Sequence, residues 1–301
     1  MLKIAYHSLY AHPLPAGHRF PMEKYELKPG QLMYEGVITE ANLFDPVPAD
    51  EATILLTHDA DYWHRMQHLQ LTEREMRAIG FPLSEALVRR EVTICQGTID
   101  CARYAMQYGV SLNVAGGTHH AFANKGEGFC LLNDFAVAAN YLLHHGLAKR
   151  ILIVDLDVHQ GNGTAALFKG YTDVFTFSMH GQHNYPFHKE QSHLDIGLPD
   201  GIDGETYLSI LQQHLPVLIQ QIAPDVIFYL SGVDVLATDK YGKMKLSIAD
   251  CRQRDEMVFS LCRQHGIPVA VAMGGGYSPL VKDIVTAHCN TFKAAKEIFE
   301  L

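Results

Sequence analysis

No CxxC pair occurs among the six cysteines, Cys95, Cys101, Cys130, Cys251, Cys262 and Cys289. A cysteine-held zinc site and a dithiol redox motif are therefore not indicated, and buried, reduced thiols are expected. No run of Lys or Arg is longer than a pair, and 24 basic residues face 33 acidic ones, a net charge of −9. The basic face of a nucleic-acid binder is missing. An acidic balance fits a cationic substrate, although net charge alone carries little weight. No apolar run reaches the length of a bilayer span. The opening MLKIAYHSLY lacks the charged start and long apolar stretch of a signal peptide, so the cytoplasm is the expected location. There is no internal repeat, low-complexity tract or linker. With charged residues at 19%, disorder is not indicated either.

What is present is a chain of 301 residues, 48% of them hydrophobic, in which short apolar runs alternate with helical patterns. LKIAYH (2–7), ATILLTH (52–58), VSLNVAGG (110–117), RILIVDLD (150–157), DVFTFSM (173–179), DVIFYLSG (225–232) and IPVAVAMGGG (267–276) read as strands. Most are continuously apolar, as parallel strands covered on both faces are. A helix is expected from Ser84 to Gly109, with Leu87, Ile94, Thr98, Cys101 and Ala105 on one face. Another should run from about Asn133 to Gly146. A third follows Asp203, with Leu208, Leu211, Leu215, Leu218 and Ile222 on one stripe. A fourth opens at Ser247, with Asp250 as a capping-box partner, and ends at Gly266. The stretches 8–50 and 180–204 read as long loops, which in a compact domain are often functional. The alternation predicts an α/β fold: one domain over residues 1–301, three-layered α/β/α, with a central, mainly parallel sheet.

Ligands of such sheets bind beyond the carboxyl ends of the strands, and ionisable residues gather there. Thr118-His119-His120 follows one apolar run, Asp155, Asp157 and His159 a second, Asp234 a third, and Tyr277 a fourth after Gly274-Gly275-Gly276. Residues i and i+2 of a strand share a face, so Asp157 and His159 can put an oxygen and a nitrogen on one cation. Asp234 would complete a three-ligand set with open positions for water and substrate, the layout of a catalytic zinc site. An isolated Asp-x-His is more often a buried hydrogen-bonded pair; convergence of these acidic and imidazole groups favours metal. The His144-His145 pair has no such context and reads as a helix end. Tyr277 could donate to a developing oxyanion, whereas a lone tyrosine in such a place would more often be a core residue with a satisfied hydroxyl.

GGTHHAF (116–122), GFCLLND (128–134), DLDVHQGNG (155–163), SGVDVLATD (231–239) and GGGY (274–277) together resemble the zinc-dependent histone deacetylase family, which shares its fold with arginase. HQGNG, LSIADCRQRDEMVF and, more loosely, HRFPMEKY look most like its class IV branch and bacterial relatives. The resemblance implies one zinc per chain on Asp157, His159 and Asp234. It implies proton handling by His119 and His120, with Asp155 behind His119, and an oxyanion-stabilising Tyr277. Phe129, beside Gly128, would be an aromatic wall of a narrow acyl-lysine channel. A structural potassium ion would be held by Asp155, Asp157, His159, Ser178 and Met179. Where many members carry an aspartate behind the second histidine, this chain has Asn162, which supplies no negative charge to favour an imidazolium. The aspartate found at the channel mouth in other classes has no match.

A zinc there would polarise the amide carbonyl and a water. His120 would take the water proton and return it to the leaving amine, with His119 as an electrostatic partner. The implied substrates are acyl-lysine proteins or peptides, acetylated or longer-chain. Acetylpolyamines or other small N-acyl amines are the alternative. Two-manganese arginase-like chemistry is disfavoured because its aspartate-rich paired motifs are missing. A catalytically inactive acyl-lysine reader would have lost a zinc ligand or the tyrosine, and none is lost.

Overall fold

The computed structural model describes all 301 residues. The apolar runs form one eight-stranded sheet from β1 (Lys3–Ala5), β2 (Leu43–Phe44), β3 (Val110–Asn113), β4 (Ile151–Asp155), β5 (Val174–Gly181), β6 (Leu194–Leu198), β7 (Val226–Leu230) and β8 (Val269–Ala272). The strand order is β2-β1-β3-β8-β7-β4-β5-β6, and every pairing is parallel. Every residue of β3, β4, β7 and β8 is buried, so these strands are covered on both faces, and the polar Ser111, Asn113 and Asp155 within them are buried too.

Ten α-helices accompany the sheet: α1 (Lys24–Tyr34), α2 (Glu51–Ile54), α3 (Ala60–Gln67), α4 (Glu73–Ile79), α5 (Glu85–Tyr108), α6 (Asp134–His144), α7 (Asn162–Leu167), α8 (Gly204–Ile222), α9 (Ile248–His265) and α10 (Val281–Phe299). α5 packs on β1, β3 and β8 and beside α6; α10 packs with α1 and α9, and α9 with α8. Local chemistry sets the helix ends. Ser84, Asn133, Asp203 and Ser247 each accept a backbone N–H from their helix's first turn, and the capping box between Ser247 and Asp250 is formed. The predicted α5 face, Leu87, Ile94, Thr98, Cys101 and Ala105, is buried in full. On α8, Leu211, Leu215 and Leu218 are buried while Leu208 and Ile222 are half-buried. All six cysteines are buried and unpaired.

Three sequence expectations are corrected. Residues 52–58 are not a strand: the Asp50 side chain accepts from Thr53 N at 2.9 Å and caps α2, and the run continues into turns. A short apolar run fits a buried helical turn as well as a strand, and here the cap decides. The stretch 8–50 is not one loop, since it holds α1 and the edge strand β2. The stretch 180–204 contains the end of β5 and all of β6. The expected central parallel sheet is present, and its parallel pairing extends to every strand.

Candidate active site

Because all strands run the same way, their carboxyl ends share one edge. The strands that precede the histidine pair, Tyr277, Asp234 and Asp157–His159 are β3, β8, β7 and β4, which are consecutive neighbours in the sheet. The convergence read from sequence is thus a consequence of strand order.

Asp157 and Asp234 are buried, and His159 is nearly so. His159 Nδ1 lies 3.1 Å from Asp157 Oδ1 and 3.1 Å from Asp234 Oδ2. The three ligating atoms all lie within 4.8 Å of one another. An ion bound tetrahedrally at about 2.0–2.2 Å separates its ligand atoms by about 3.3–3.6 Å, so this set fits zinc with small adjustments. The charge balance points the same way. Burial and the adjacent Asp157 push the Asp234 carboxyl up to about 7. Two carboxylates this close in a buried place call for a cation. Backbone donors hold the remaining oxygens: Gly275 N reaches Asp157 Oδ2 at 2.7 Å, and Val158 N reaches Asp234 Oδ1 at 3.0 Å. A Cβ at Gly275 would lie 1.8 Å from Asp234 Oδ2, so only glycine allows this approach.

The two histidines differ in what stands behind them. His119 Nδ1 is 2.7 Å from Asp155 Oδ2, and His120 Nδ1 is 2.6 Å from Asn162 Oδ1. Burial works against charge on His119, but Asp155 and Asp157 outweigh it and its pKa is raised. Burial, then the neighbouring His119 and His159, depress His120 well below the usual imidazole range, against a weak upward pull from Asn162. Asn162 thus contacts His120 without supplying the charge that Asp155 supplies to His119.

Several residues that sequence reasoning passed over hold this arrangement. Glu127 Oε1 accepts from Asn162 Nδ2 at 2.5 Å. A carboxylate can only accept, so the Asn162 amide oxygen must face His120. Buried Asp134 accepts from Thr118 N at 2.8 Å, Thr118 Oγ1 at 2.7 Å and Thr98 Oγ1 at 2.7 Å, fixing the turn that presents the histidine pair. Arg254 is fully buried and donates to Leu156 O and Gly232 O at 3.3 and 2.6 Å, next to the strand ends bearing Asp157 and Asp234. Asp239 accepts from Tyr277 N at 2.6 Å. Lys24 lines the inner cavity with its amine 5.5 Å from the Tyr277 ring centroid, and burial lowers its pKa to about 8. Asp134, Arg254 and Lys24 lie inside GFCLLND, LSIADCRQRDEMVF and HRFPMEKY, so their motifs were visible while their contacts were not.

The inner cavity, about 40 Å³, is lined by His119, His120, Asp157, His159, Asp234, Gly128, Phe129 and Tyr277 among others. It meets an outer pocket of about 400 Å³ at His120, His159, Gly128, Phe129 and Tyr277. Phe129 holds a left-handed φ of +68°, secured by its N–H donating to Ile79 O at 2.6 Å. Its ring centroid is 6.0 Å from that of Tyr277, giving the passage two aromatic walls. Burial and the nearby Asp234 and Asp157 raise the Tyr277 hydroxyl well above its ordinary pKa, so it keeps its proton. At the expected potassium position, Asp155 and Ser178 are paired neighbours on β4 and β5, and Met179 follows, buried. Ser178 Oγ is also 2.9 Å from His180 Nδ1.

Residues 18–292 match the histone deacetylase domain. The chain belongs to the histone deacetylase family. An uncharacterized protein of Picosynechococcus is 44% identical over 296 residues, covering 98% of this chain and 99% of that one. Histone deacetylase 2 of Arabidopsis thaliana is 28% identical over 270 residues, 86% of this chain and 70% of its own length. The crystal structure of an HDAC homolog from Aquifex aeolicus superposes with a TM-score of 0.83 at 24% identity, over 99% of this chain and 88% of that one, and shares the fold. No helix is long and apolar enough to cross a membrane.

Proposed function

We propose that residues 1–301 form one zinc-dependent deacylase that hydrolyses the amide of an N-acyl-lysine. The observation that carries the reading is the meeting, in one cavity, of the Asp157–His159–Asp234 triad, the histidine pair and Tyr277. A zinc ion held by those three ligands would polarise the scissile carbonyl and acidify a water.

The chain's own residues supply the rest. Asn162 accepts from His120 Nδ1, which leaves the Nε2 lone pair of a neutral imidazole free. His120, depressed by burial, is therefore unprotonated at neutral pH and takes the proton at Nε2. It returns that proton to the leaving amine. His119, held by Asp155, tends to carry positive charge and offsets negative charge gathering nearby. The Tyr277 hydroxyl donates to the carbonyl oxygen as it becomes an oxyanion. Phe129, Gly128 and Tyr277 wall the passage that would hold the lysine stem and exclude water. A structural potassium ion on Asp155, Asp157, His159, Ser178 and Met179 belongs to the same proposal, supported by the adjacency of Asp155 and Ser178.

The deciding experiment is hydrolysis of a panel of acyl-lysine peptides by zinc-loaded protein, with and without chelator. Release of acid that the chelator stops is expected. No hydrolysis of any member by protein containing one zinc would overturn the reading.

A further inference from the structure

We infer that the mouth of the passage selects substrates bearing a carboxylate next to the acyl-lysine and rejects acetylpolyamines; this rests on the deacylase reading above. The outer pocket is lined by Arg19, Lys243 and His183, with Tyr185, Phe187 and Tyr241, and by no aspartate or glutamate. On a chain of net charge −9, this rim has the opposite sign to the molecule as a whole. The bulk charge would suit a cationic substrate; the surface that a substrate meets does not.

Arg19 is the residue that decides the rim's character. Its guanidinium carbon stands 5.0 Å from the Phe129 ring centroid and 5.9 Å from that of Tyr241. It therefore bridges an aromatic wall of the passage and an aromatic residue of the rim. Stacking on rings leaves the edge N–H donors free, and no carboxylate lies within ion-pair distance of Arg19. Lys243 differs, with its amine 3.6 Å from Asp200 and donating to His183 O at 3.1 Å. Arg19 also borders a smaller pocket with Glu23 and Lys240, which offset one another in charge. The net result is one unpaired guanidinium at the point where the lysine stem would leave the passage.

A planar guanidinium pairs with a carboxylate through two parallel hydrogen bonds. A second amine of a polyamine, emerging at the same point, would meet the unpaired Arg19 as a like charge. The carboxylate could be an acidic side chain beside the acylated lysine in a peptide or the free α-carboxylate of an N-acyl-lysine; the rim chemistry is the same.

The test compares kcat/KM for acetyl-lysine peptides with Glu, Gln or Lys as neighbour, for Nα-capped acetyl-lysine as free acid and as amide, and for N-acetylspermidine. The expected result is a preference of about three- to tenfold for Glu over Lys, carried by KM and shrinking as salt shortens the screening length below about 10 Å. Arg19→Gln should bring that ratio near one, and Arg19→Lys should keep most of it. A preference confined to the free acid over its amide identifies the amino acid as the source; one confined to Glu over Gln identifies the peptide. Equal rates across both the peptide series and the acid–amide pair, a preference unmoved by Arg19→Gln, or N-acetylspermidine as the best substrate would overturn the inference and leave the deacylase reading standing. Failure to hydrolyse any member would overturn both.

Discussion

His120 Nδ1 and the amide oxygen of Asn162 are 2.6 Å apart, and Glu127 fixes the amide's orientation from its other side. The contact sets the tautomer of His120 without lending it charge. An aspartate at this place would do both.

Asn162→Asp, made with Glu127→Gln so that two carboxylates do not face each other, should raise the His120 pKa. An opposite charge within a few ångströms typically shifts a group by about one to three units. His120 acts in its neutral form, so the acidic limb of the kcat/KM profile should move to higher pH by at least about one unit. An unmoved limb in the double variant would mean that His120 is not the base that the profile reports.

Tyr277→Phe removes a hydroxyl that stays protonated and faces the cavity. Loss of one oxyanion donor costs about 10²–10³ in kcat. The backbone N–H of residue 277 would still reach Asp239, so the loop should hold its place. Metal content should stay at one zinc per chain. Turnover near that of the wild type would remove Tyr277 from the chemistry.

Much of this site was legible in the sequence because the sheet is parallel and buried on both faces. β3, β4, β7 and β8 are short, largely apolar runs, each followed soon by polar residues, and that pattern survives without knowledge of strand order. LKIAYH was read correctly as the strand that forms β1, but the stretch 8–50 was not legible. Pro29 and Gly30, local helix breakers, sit inside α1, which is anchored by the buried Lys24, Tyr25, Lys28 and Leu32. Tertiary packing there overrides propensity. Glu127 and Asp134 were unassigned for another reason. A single carboxylate has no spacing to read, and its role exists only once the chain brings Asn162 or Thr118 beside it.

Chelation should both stop hydrolysis and lower thermal stability. An ion that binds only the folded state stabilises it by mass action, and a cation on Asp157 and Asp234 would also relieve two buried carboxylates. Asp234→Asn keeps the shape and removes one charge. Its zinc content after dialysis should fall well below one per chain by elemental analysis, and its melting temperature should respond less to chelator than that of the wild type. Full zinc occupancy in that variant would remove Asp234 from the ligand set.

His58 gives the fold an acid-sensitive point away from the candidate metal ligands. It is buried, its Nδ1 lies 3.0 Å from Phe122 O, and its Nε2 accepts from Asn133 N at 3.0 Å, at the start of α6. Burial depresses its pKa to about 4 from an unfolded value of 6.5, with the carbonyls of Ala123 and Phe122 pulling the other way. Above pH 6.5 neither state is charged and the group gives no pH dependence. As pH falls from about 6.5 toward 4, the unfolded chain takes up a proton that the folded chain refuses, so stability is lost; below about 4 the loss is complete. By linkage, lowering the pH from about 7.5 to about 5 should cost about 2 kcal/mol through this group. His58→Gln keeps one donor and one acceptor and does not titrate. Urea unfolding at the two pH values should therefore show a smaller acid loss in the variant, by about that amount. Equal losses in both proteins would mean that protonation of His58 is not what weakens the fold in acid.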